Sequence, residues 1–107
     1  MAFYELRQYV IRPGCMAEWV KMFDSVIVPF QVARGHVVGG SFRGETDESV
    51  FVWLRRFESE AERERLYKAV YEDPEWTGVI SPKVGALIER ETIKVQRLTP
   101  TGSSVLR

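Results

Sequence analysis

The sequence predicts one α+β domain with the ferredoxin-like order β-α-β-β-α-β, in which helices cover one face of an antiparallel four-stranded sheet. Three observations lead to this fold class. The hydrophobic period changes along the chain from two residues to about 3.6 and back again. A length of 107 residues suits one domain, and a content of 45% apolar residues supplies its core. We expect residues 1–98 to form the domain and residues 99–107, which have turn composition, to form a loose tail.

The first half of the chain predicts a strand followed by a helix. Residues 3–11 are rich in Tyr, Val and Ile, and the strand they form should end at the turn Arg12-Pro13-Gly14. From residue 16 to residue 30, apolar side chains recur at steps of three and four, which is typical of an amphipathic helix. Pro29 has no backbone N–H, so we expect it to kink or stop this helix.

The second half predicts a hairpin, further helices and a last strand. Residues 37–43 and 49–57 have strand composition, and a polar loop joins them. Ser59 and Glu62 have the spacing of a capping box, which predicts a helix that ends near residue 72. Asp73-Pro74 and Ser81-Pro82 each predict the start of a short helix. Residues 92–98 form the last predicted strand.

Both faces of the predicted sheet carry apolar residues, and the alternation of side chains sorts them into two sets. One set is aliphatic apart from Tyr4, and we call it the aliphatic set. It is expected to face the helices: Tyr4, Leu6, Val10, Val50, Val52 and Leu54. The aromatic set is then expected to point away from them: Tyr9, Phe51, Trp53 and Phe57. Because water disfavours such an aromatic face, the sequence predicts a homodimer in which a second copy covers it.

Three charged residues, Glu5, Arg7 and Arg55, fall on the same face as the aromatic set. They fit ion pairs within or between subunits. They also fit a pocket in which Arg7 and Arg55, beside Tyr9 and Trp53, bind a small anionic or carbonyl-bearing molecule. In the first interpretation Glu5 pairs with one of the arginines. Trp19 and Trp76 fit core packing between helix and sheet, and they also fit an alternative pocket there with both rings in its walls.

Composition excludes several classes of function. Lysine plus arginine balance aspartate plus glutamate at fifteen each, so no net field attracts nucleic acid or an anionic membrane. One cysteine and one histidine are too few for a Cys/His metal site, and we predict no metal and no cofactor. No signal peptide or membrane-spanning segment is evident, which favours a cytoplasmic location.

The candidates for catalysis are His36 and Tyr9. His36 has an ordinary pKa near neutrality and suits a general base or a haem ligand. A partly exposed histidine at the junction of helix and strand is the competing interpretation. Arg63, Tyr67 and Tyr71 lie one helical turn apart, and we interpret them as a ladder on the helix surface rather than a site.

Three stretches of the sequence resemble the NIPSNAP family. They are Tyr4-Glu5-Leu6-Arg7-Gln8-Tyr9 with the following Pro13-Gly14, Val38-Gly39-Gly40-Ser41-Phe42, and Val50-Phe51-Val52-Trp53-Leu54-Arg55-Arg56-Phe57 with the helix start after it. The resemblance covers about residues 3–98 and implies a dimeric α/β barrel, in which two ferredoxin-like sheets pack face to face. The short single-domain chain is similar to bacterial members.

The resemblance implies no agreed reaction, because the family has no established catalytic residues. The wider superfamily holds cofactor-independent monooxygenases, haem-using enzymes, lactone isomerases and binding proteins. The expected function is therefore a dimer that binds small molecules or proteins without established catalysis. A cofactor-independent monooxygenase-like or isomerase-like enzyme is the alternative.

Overall fold

The sheet has the predicted ferredoxin-like topology. A computed structural model of the chain describes residues 2–107. Its four strands are β1 (Phe3–Val10), β2 (Val37–Arg43), β3 (Val50–Phe57) and β4 (Lys94–Leu98). They lie in the order β2-β3-β1-β4, and every neighbouring pair is antiparallel. The two central strands, β1 and β3, therefore carry the side chains that are best placed to form a core.

The first helical segment does not stop at its proline. It runs through α1 (Met16–Met22), a π-helical turn (Phe23–Ile27) and α2 (Val28–Val32). Pro29 lies at the start of α2, and the backbone N–H of Val28 donates to the carbonyl of Phe23, five residues earlier. The expected kink or stop is thus replaced by a wider turn before the proline, since that turn does not need the N–H that Pro29 lacks.

The last helical segment repeats the same arrangement. It contains a π-helical turn (Trp76–Ile80) and α4 (Ser81–Leu87), and the N–H of Ser81 donates to the carbonyl of Trp76. Pro82 therefore lies inside a continuous helical segment, which corrects the prediction that Ser81-Pro82 starts a new helix. A short 3-10 turn (Arg90–Thr92) leads into β4.

The helix between these segments is capped as the sequence predicts. In α3 (Glu60–Tyr71), the Ser59 hydroxyl accepts a hydrogen bond from the N–H of Glu62 at 3.1 Å. The Glu62 carboxylate accepts from the N–H of Glu58 at 3.0 Å, one residue before the expected donor. Both bonds satisfy free backbone donors at the start of α3.

The two faces of the sheet are the reverse of the prediction. Phe51, Trp53 and Phe57 are at most 3% exposed and pack under the helices, and Tyr9 is also buried there. The aromatic set forms the core of one chain, so the prediction that these four residues meet a second copy is wrong. The physical reason is that both sets are apolar, and that Glu5, the one carboxylate of the aromatic face, is accommodated under the helices by contacts with Arg55 and with Arg63 and Tyr67 of α3.

The aliphatic set lies on the other face of the sheet, which we call the open face. No helix covers it in residues 2–107, and Phe42 on β2 is 59% exposed beside Val52 on β3. One corner of the open face is in contact with the tail, residues 99–107. The Tyr4 hydroxyl there donates to the backbone carbonyl of Arg107 at 3.0 Å.

Candidate ligand cavity

A cavity of about 120 Å³ lies between the sheet and the helices. Half of the twelve residues that line it are aromatic. The aromatic residues that line it are Tyr9, Trp19, Phe23, Trp53, Tyr71 and Trp76. The aliphatic and polar residues that complete the wall are Ile27, Val84, Ile93, Arg7, Gln31 and Arg90. Since Arg90 is exposed, the cavity reaches the surface beside it. We call this space the sheet–helix cavity.

Both π-helical turns contribute to the wall of this cavity. The first supplies Phe23 and Ile27, and the second supplies Trp76. Such turns make up well under 1% of residues in ordinary proteins and are frequent at functional sites. Their position on both sides of one cavity indicates that the helices are shaped around it.

The polar end of the cavity adjoins a buried cluster of charges around Glu5, which we call the Glu5 cluster. Arg55 on β3 donates to the Glu5 carboxylate at 3.0 Å, and both side chains are fully buried. Arg63 on α3 donates to the other carboxylate oxygen at 2.8 Å. The Tyr67 hydroxyl donates to Glu5 at 2.7 Å, and the nearest Arg7 nitrogen lies 3.8 Å from it.

These contacts keep Glu5 ionised and Tyr67 neutral. Burial by itself would raise the pKa of Glu5, but hydrogen bonds from Tyr67 and Arg63 and the charges of Arg55 and Arg7 lower it below its ordinary value. Burial raises the pKa of Tyr67 to about 12, and its hydrogen bond to Glu5 acts in the same direction. The cluster therefore contains three guanidinium cations and one carboxylate.

The two arginines predicted to bind a ligand have different surroundings. Arg55 is the ion-pair partner of Glu5, as the first interpretation holds, and it does not line the cavity. Arg7 does line it, with its guanidinium carbon 5.7 Å from the ring centre of Trp53 and its Nε donating to the Tyr9 hydroxyl at 3.1 Å. The structure thus separates an ion-paired arginine from one that faces the cavity.

Two tryptophans in the wall have buried ring N–H groups with no acceptor in residues 2–107. These are the indole nitrogens of Trp19 and Trp53. A buried donor without a partner costs about 1–3 kcal/mol, so native proteins seldom keep two of them in one wall. Both tryptophans line the cavity.

The two alternative pockets predicted from the sequence form one cavity in the structure. Arg7, Tyr9 and Trp53 come from the sheet, while Trp19 and Trp76 come from the two helical segments on top of it. They meet because the aromatic set faces the helices. Whether they bind a ligand stays a prediction.

His36 lies away from the cavity and is not the partly exposed loop histidine of the prediction. It is 2% exposed, its Nε2 is 3.1 Å from the carbonyl oxygen of Leu66, and its ring packs on Phe57. Burial lowers the pKa of His36 to about 4, and the charge of Arg55 adds to this effect. A neutral, enclosed imidazole outside the cavity wall is poorly placed as a base for a molecule held there.

Sequence reasoning missed the inward role of α3. Arg63 and Tyr67 reach Glu5, and the Tyr71 hydroxyl accepts a hydrogen bond from Arg55 at 2.8 Å, so these residues are not a surface ladder. Gln31 was also missed, and its side-chain oxygen accepts from Arg55 at 3.1 Å. The available signal was an arginine and two tyrosines on the same helix face as Leu66 and Val70.

Residues 2–107 contain no cluster of three or more His, Cys, Asp or Glu side chains that could hold a metal ion. Within the same range, every helix is too short or too polar to cross a bilayer. The polar side chains that line the cavity are those of arginine, tyrosine, tryptophan and glutamine.

Comparison with known proteins identifies the family. The family model described as NIPSNAP matches residues 4–103, which is nearly the whole chain. The chain belongs to the NIPSNAP family. The resemblance in the opening and central motifs is thereby confirmed. No curated protein sequence matches this NIPSNAP chain.

Solved structures of other NIPSNAP proteins have the same fold. A NIPSNAP family protein from Agrobacterium tumefaciens is 27% identical, with a TM-score of 0.86 over 100% of both chains. A second protein from that bacterium, of unknown function, is 24% identical with a TM-score of 0.88 over 99% of this chain and 94% of that one. An uncharacterised NIPSNAP-like domain protein from Burkholderia xenovorans is 22% identical, with a TM-score of 0.84 over 96% and 88%. No catalytic activity is established for these relatives.

Proposed function

We propose that this NIPSNAP protein is a homodimer that binds a small anionic or carbonyl-bearing molecule in the sheet–helix cavity. One observation carries the proposal. A cavity of about 120 Å³ is lined by Trp19 and Trp53, whose buried indole N–H groups have no protein acceptor in residues 2–107. A wall built only for packing would fill such a space and leave no donor unpaired, since protein interiors are close-packed and buried polar groups are paired.

Tryptophan fluorescence can detect whether the cavity holds a ligand. The chain has three tryptophans, and Trp19, Trp53 and Trp76 all line the cavity. Native mass spectrometry of the purified protein should find a small molecule retained by the chain, and its removal should change the intrinsic tryptophan fluorescence.

A variant with a filled cavity tests the location. Val84 lines the cavity and is 6% exposed, whereas Val79 is 43% exposed and outside the wall. Val84→Phe should abolish retention of the molecule, and Val79→Phe should keep it, with circular dichroism confirming that both variants fold. Retention that survives Val84→Phe would move the binding site elsewhere.

The open face supports the proposal of a homodimer. Phe42, Val50 and Leu98 are each at least 39% exposed on one side of the sheet. A contiguous apolar sheet face disfavours contact with water, and a two-fold axis allows it to cover itself. We therefore still propose a homodimer in which two sheets pack face to face, but the open face, instead of the aromatic face, forms the contact between subunits.

Turnover of the bound molecule is a second candidate function, and Tyr9 favours it. Its hydroxyl accepts a hydrogen bond from Arg7 and lines the cavity, so its own proton is available to an oxygen of the bound molecule. Oxygen uptake with a panel of quinols would detect a monooxygenase-like reaction. Oxygen uptake that is abolished both by boiling and by Tyr9→Phe would support an enzyme. Uptake no greater than that of the boiled protein would leave binding as the function.

We infer in addition a bacterial protein of the cytoplasm. The similar proteins above come from bacteria, and the single Cys15 is a free thiol, which suits a reducing compartment. Fractionation of cells that produce the protein tests the location, and recovery outside the cytoplasm would contradict it.

A further inference from the structure

We propose that the molecule held in the sheet–helix cavity is a monoanion of single-ring size that carries its charge on oxygen, accepts hydrogen bonds without donating any, and pairs with Arg7. This rests on the proposed function, because it names the class of molecule that the cavity holds. Three properties of the wall lead to it, which are its charge, its hydrogen-bonding groups and its size.

The charge of the wall is positive. Arg7 and Arg90 line the cavity, and the wall contains no aspartate or glutamate from residues 2–107. Within the Glu5 cluster, Arg55 and Arg63 take the short contacts to the carboxylate, at 3.0 Å and 2.8 Å. Arg7 is left 3.8 Å from it with a side chain only 14% exposed. Its hydrogen-bond acceptors are the neutral hydroxyls of Tyr9 and Tyr67, and a mostly buried cation without a close anionic partner favours an anion beside it.

The hydrogen-bonding groups of the wall are donors. The indole N–H groups of Trp19 and Trp53 have no acceptor in residues 2–107. The Tyr9 and Tyr71 hydroxyls each accept a bond from an arginine, which leaves each with a proton to donate. The side-chain oxygen of Gln31 already accepts from Arg55. A ligand N–H or O–H group would compete with these donors, whereas a carboxylate or enolate oxygen satisfies several of them at once.

The size of the cavity limits the apolar part of the molecule. An engineered cavity of about 150 Å³ in another protein holds benzene, so about 120 Å³ corresponds at most to one six-membered ring. The rings of Trp19, Phe23 and Trp76 form the wall around this volume. Aromatic walls with one polar end favour a flat molecule with its charge at that end.

Three probes of nearly equal shape test the effect of a ligand's charge on binding separately from the effect of its shape. Benzoate is an anion that only accepts hydrogen bonds, benzamide is neutral and also donates them, and benzylamine is a cation. Titration by tryptophan fluorescence should give benzoate an affinity at least about 10-fold above that of benzamide, as expected for hydrogen bonds to a charged group. Benzylamine should not bind. This ranking is measured on the unmodified protein and does not depend on how a variant folds.

Two arginine variants assign the charge to a residue. Arg7→Met should weaken benzoate by about 30-fold and leave benzamide nearly unchanged, because it removes a charge-assisted contact. Arg63→Met is the matched control, since Arg63 also contacts Glu5 but does not line the cavity. It should keep the affinity for benzoate within about twofold. Arg7→Lys keeps the charge and should recover part of the affinity.

The outcomes separate this inference from the proposed function. Equal affinity for benzoate and benzamide would overturn the proposal that the bound molecule is an anion. In that case, loss of the retained molecule in Val84→Phe would still support the proposed binding function. Equal loss in Arg63→Met and Arg7→Met would overturn the role of Arg7. Binding of none of the probes would overturn the single-ring class, and if native mass spectrometry also finds no retained molecule, the proposed function fails with it.

Discussion

Glu5 brings together side chains from three elements of the chain. It lies on β1, and its carboxylate is contacted by Arg55 on β3 and by Arg63 and Tyr67 on α3. An ionised carboxylate is tolerated in the core only because these donors replace the water it loses. The cluster therefore couples the central strands to the helix that covers them, and it leaves Arg7 directed at the cavity.

The first prediction concerns Arg55. Arg55→Met should lower the free energy of unfolding by about 3–5 kcal/mol, because it leaves the buried Glu5 without its closest fully buried cation. Urea denaturation measures the change. Arg65→Met is the control, since its side chain is 68% exposed and lies 3.9 Å from Glu62 at the helix surface. A change in Arg65→Met as large as that in Arg55→Met would contradict the role assigned to the buried pair.

The second prediction concerns His36 and acid pH. Its pKa is lowered from 6.5 to about 4 in the folded chain, so the unfolded chain binds the proton first as pH falls. Between these values the unfolded state holds more protons, and the free energy of unfolding should decrease by about 2 kcal/mol from pH 7 to pH 5 on account of this group. Denaturation at both pH values, compared with His36→Gln, measures it. A variant with the same pH dependence as the unmodified chain would refute the assignment.

At the scale of elements, two helical segments accommodate an internal proline in the same way. Each contains a five-residue π-helical turn that ends two residues before the proline, at Phe23–Ile27 before Pro29 and at Trp76–Ile80 before Pro82. The wide turns satisfy the backbone where the proline offers no N–H, and they direct Phe23, Ile27 and Trp76 at the cavity. Local backbone chemistry and the shape of the site are thus linked.

The third prediction concerns two glycines that lie in helical segments or at their ends. Gly35 follows α2 with a φ of 103°, and an added Cβ would lie 3.0 Å from a methyl carbon of Leu66. Gly35→Ala should therefore cost about 1–3 kcal/mol of stability. Gly78, in the second π-helical turn, has open space around it, and Gly78→Ala should stabilise the chain by about 0.4–1 kcal/mol. Thermal denaturation of both variants checks the opposite signs, and equal shifts would contradict them.

At the scale of the whole molecule, the sheet has one face under helices and one open face. The covered face holds the core and the cavity, while the open face carries Phe42 at 59% exposure and meets the tail at Tyr4. These two faces separate the proposed functions, because ligand binding belongs to one face and assembly to the other.

The fourth prediction concerns assembly. Light scattering at micromolar concentration should give twice the mass of the chain, since two open faces cover one another in the proposed dimer. Phe42→Asp should shift this mass to that of one chain by placing a charge in the contact. Val79→Asp, at a site 43% exposed on a helical segment, should stay dimeric. A strictly monomeric mass for the unmodified protein would contradict the proposed dimer.

Local patterns in the sequence determined the order of the elements, while the helix limits predicted at Pro29 and Pro82 were wrong. Alternation along residues 3–11, the capping box at Ser59 and the period of three and four after residue 16 each depend on neighbours in the chain, and the strands and helices form there. The strand portions of the family motifs lie in β1, β2 and β3, and the family model matches residues 4–103. The ferredoxin-like topology follows from that order, because few sheets accommodate it.

Only the tertiary structure decided which face of the sheet is the core. Alternation separates Trp53 from Leu54 but is the same for either assignment, since both sets are apolar. The decision depends on α3, whose Arg63 and Tyr67 donate hydrogen bonds to Glu5 across a distance of about sixty residues in sequence. Burial of that charged cluster places Trp53 and Arg7 under the helices, and so creates the cavity. Contacts this far apart in the chain leave no periodic signal, because they depend on how whole elements pack.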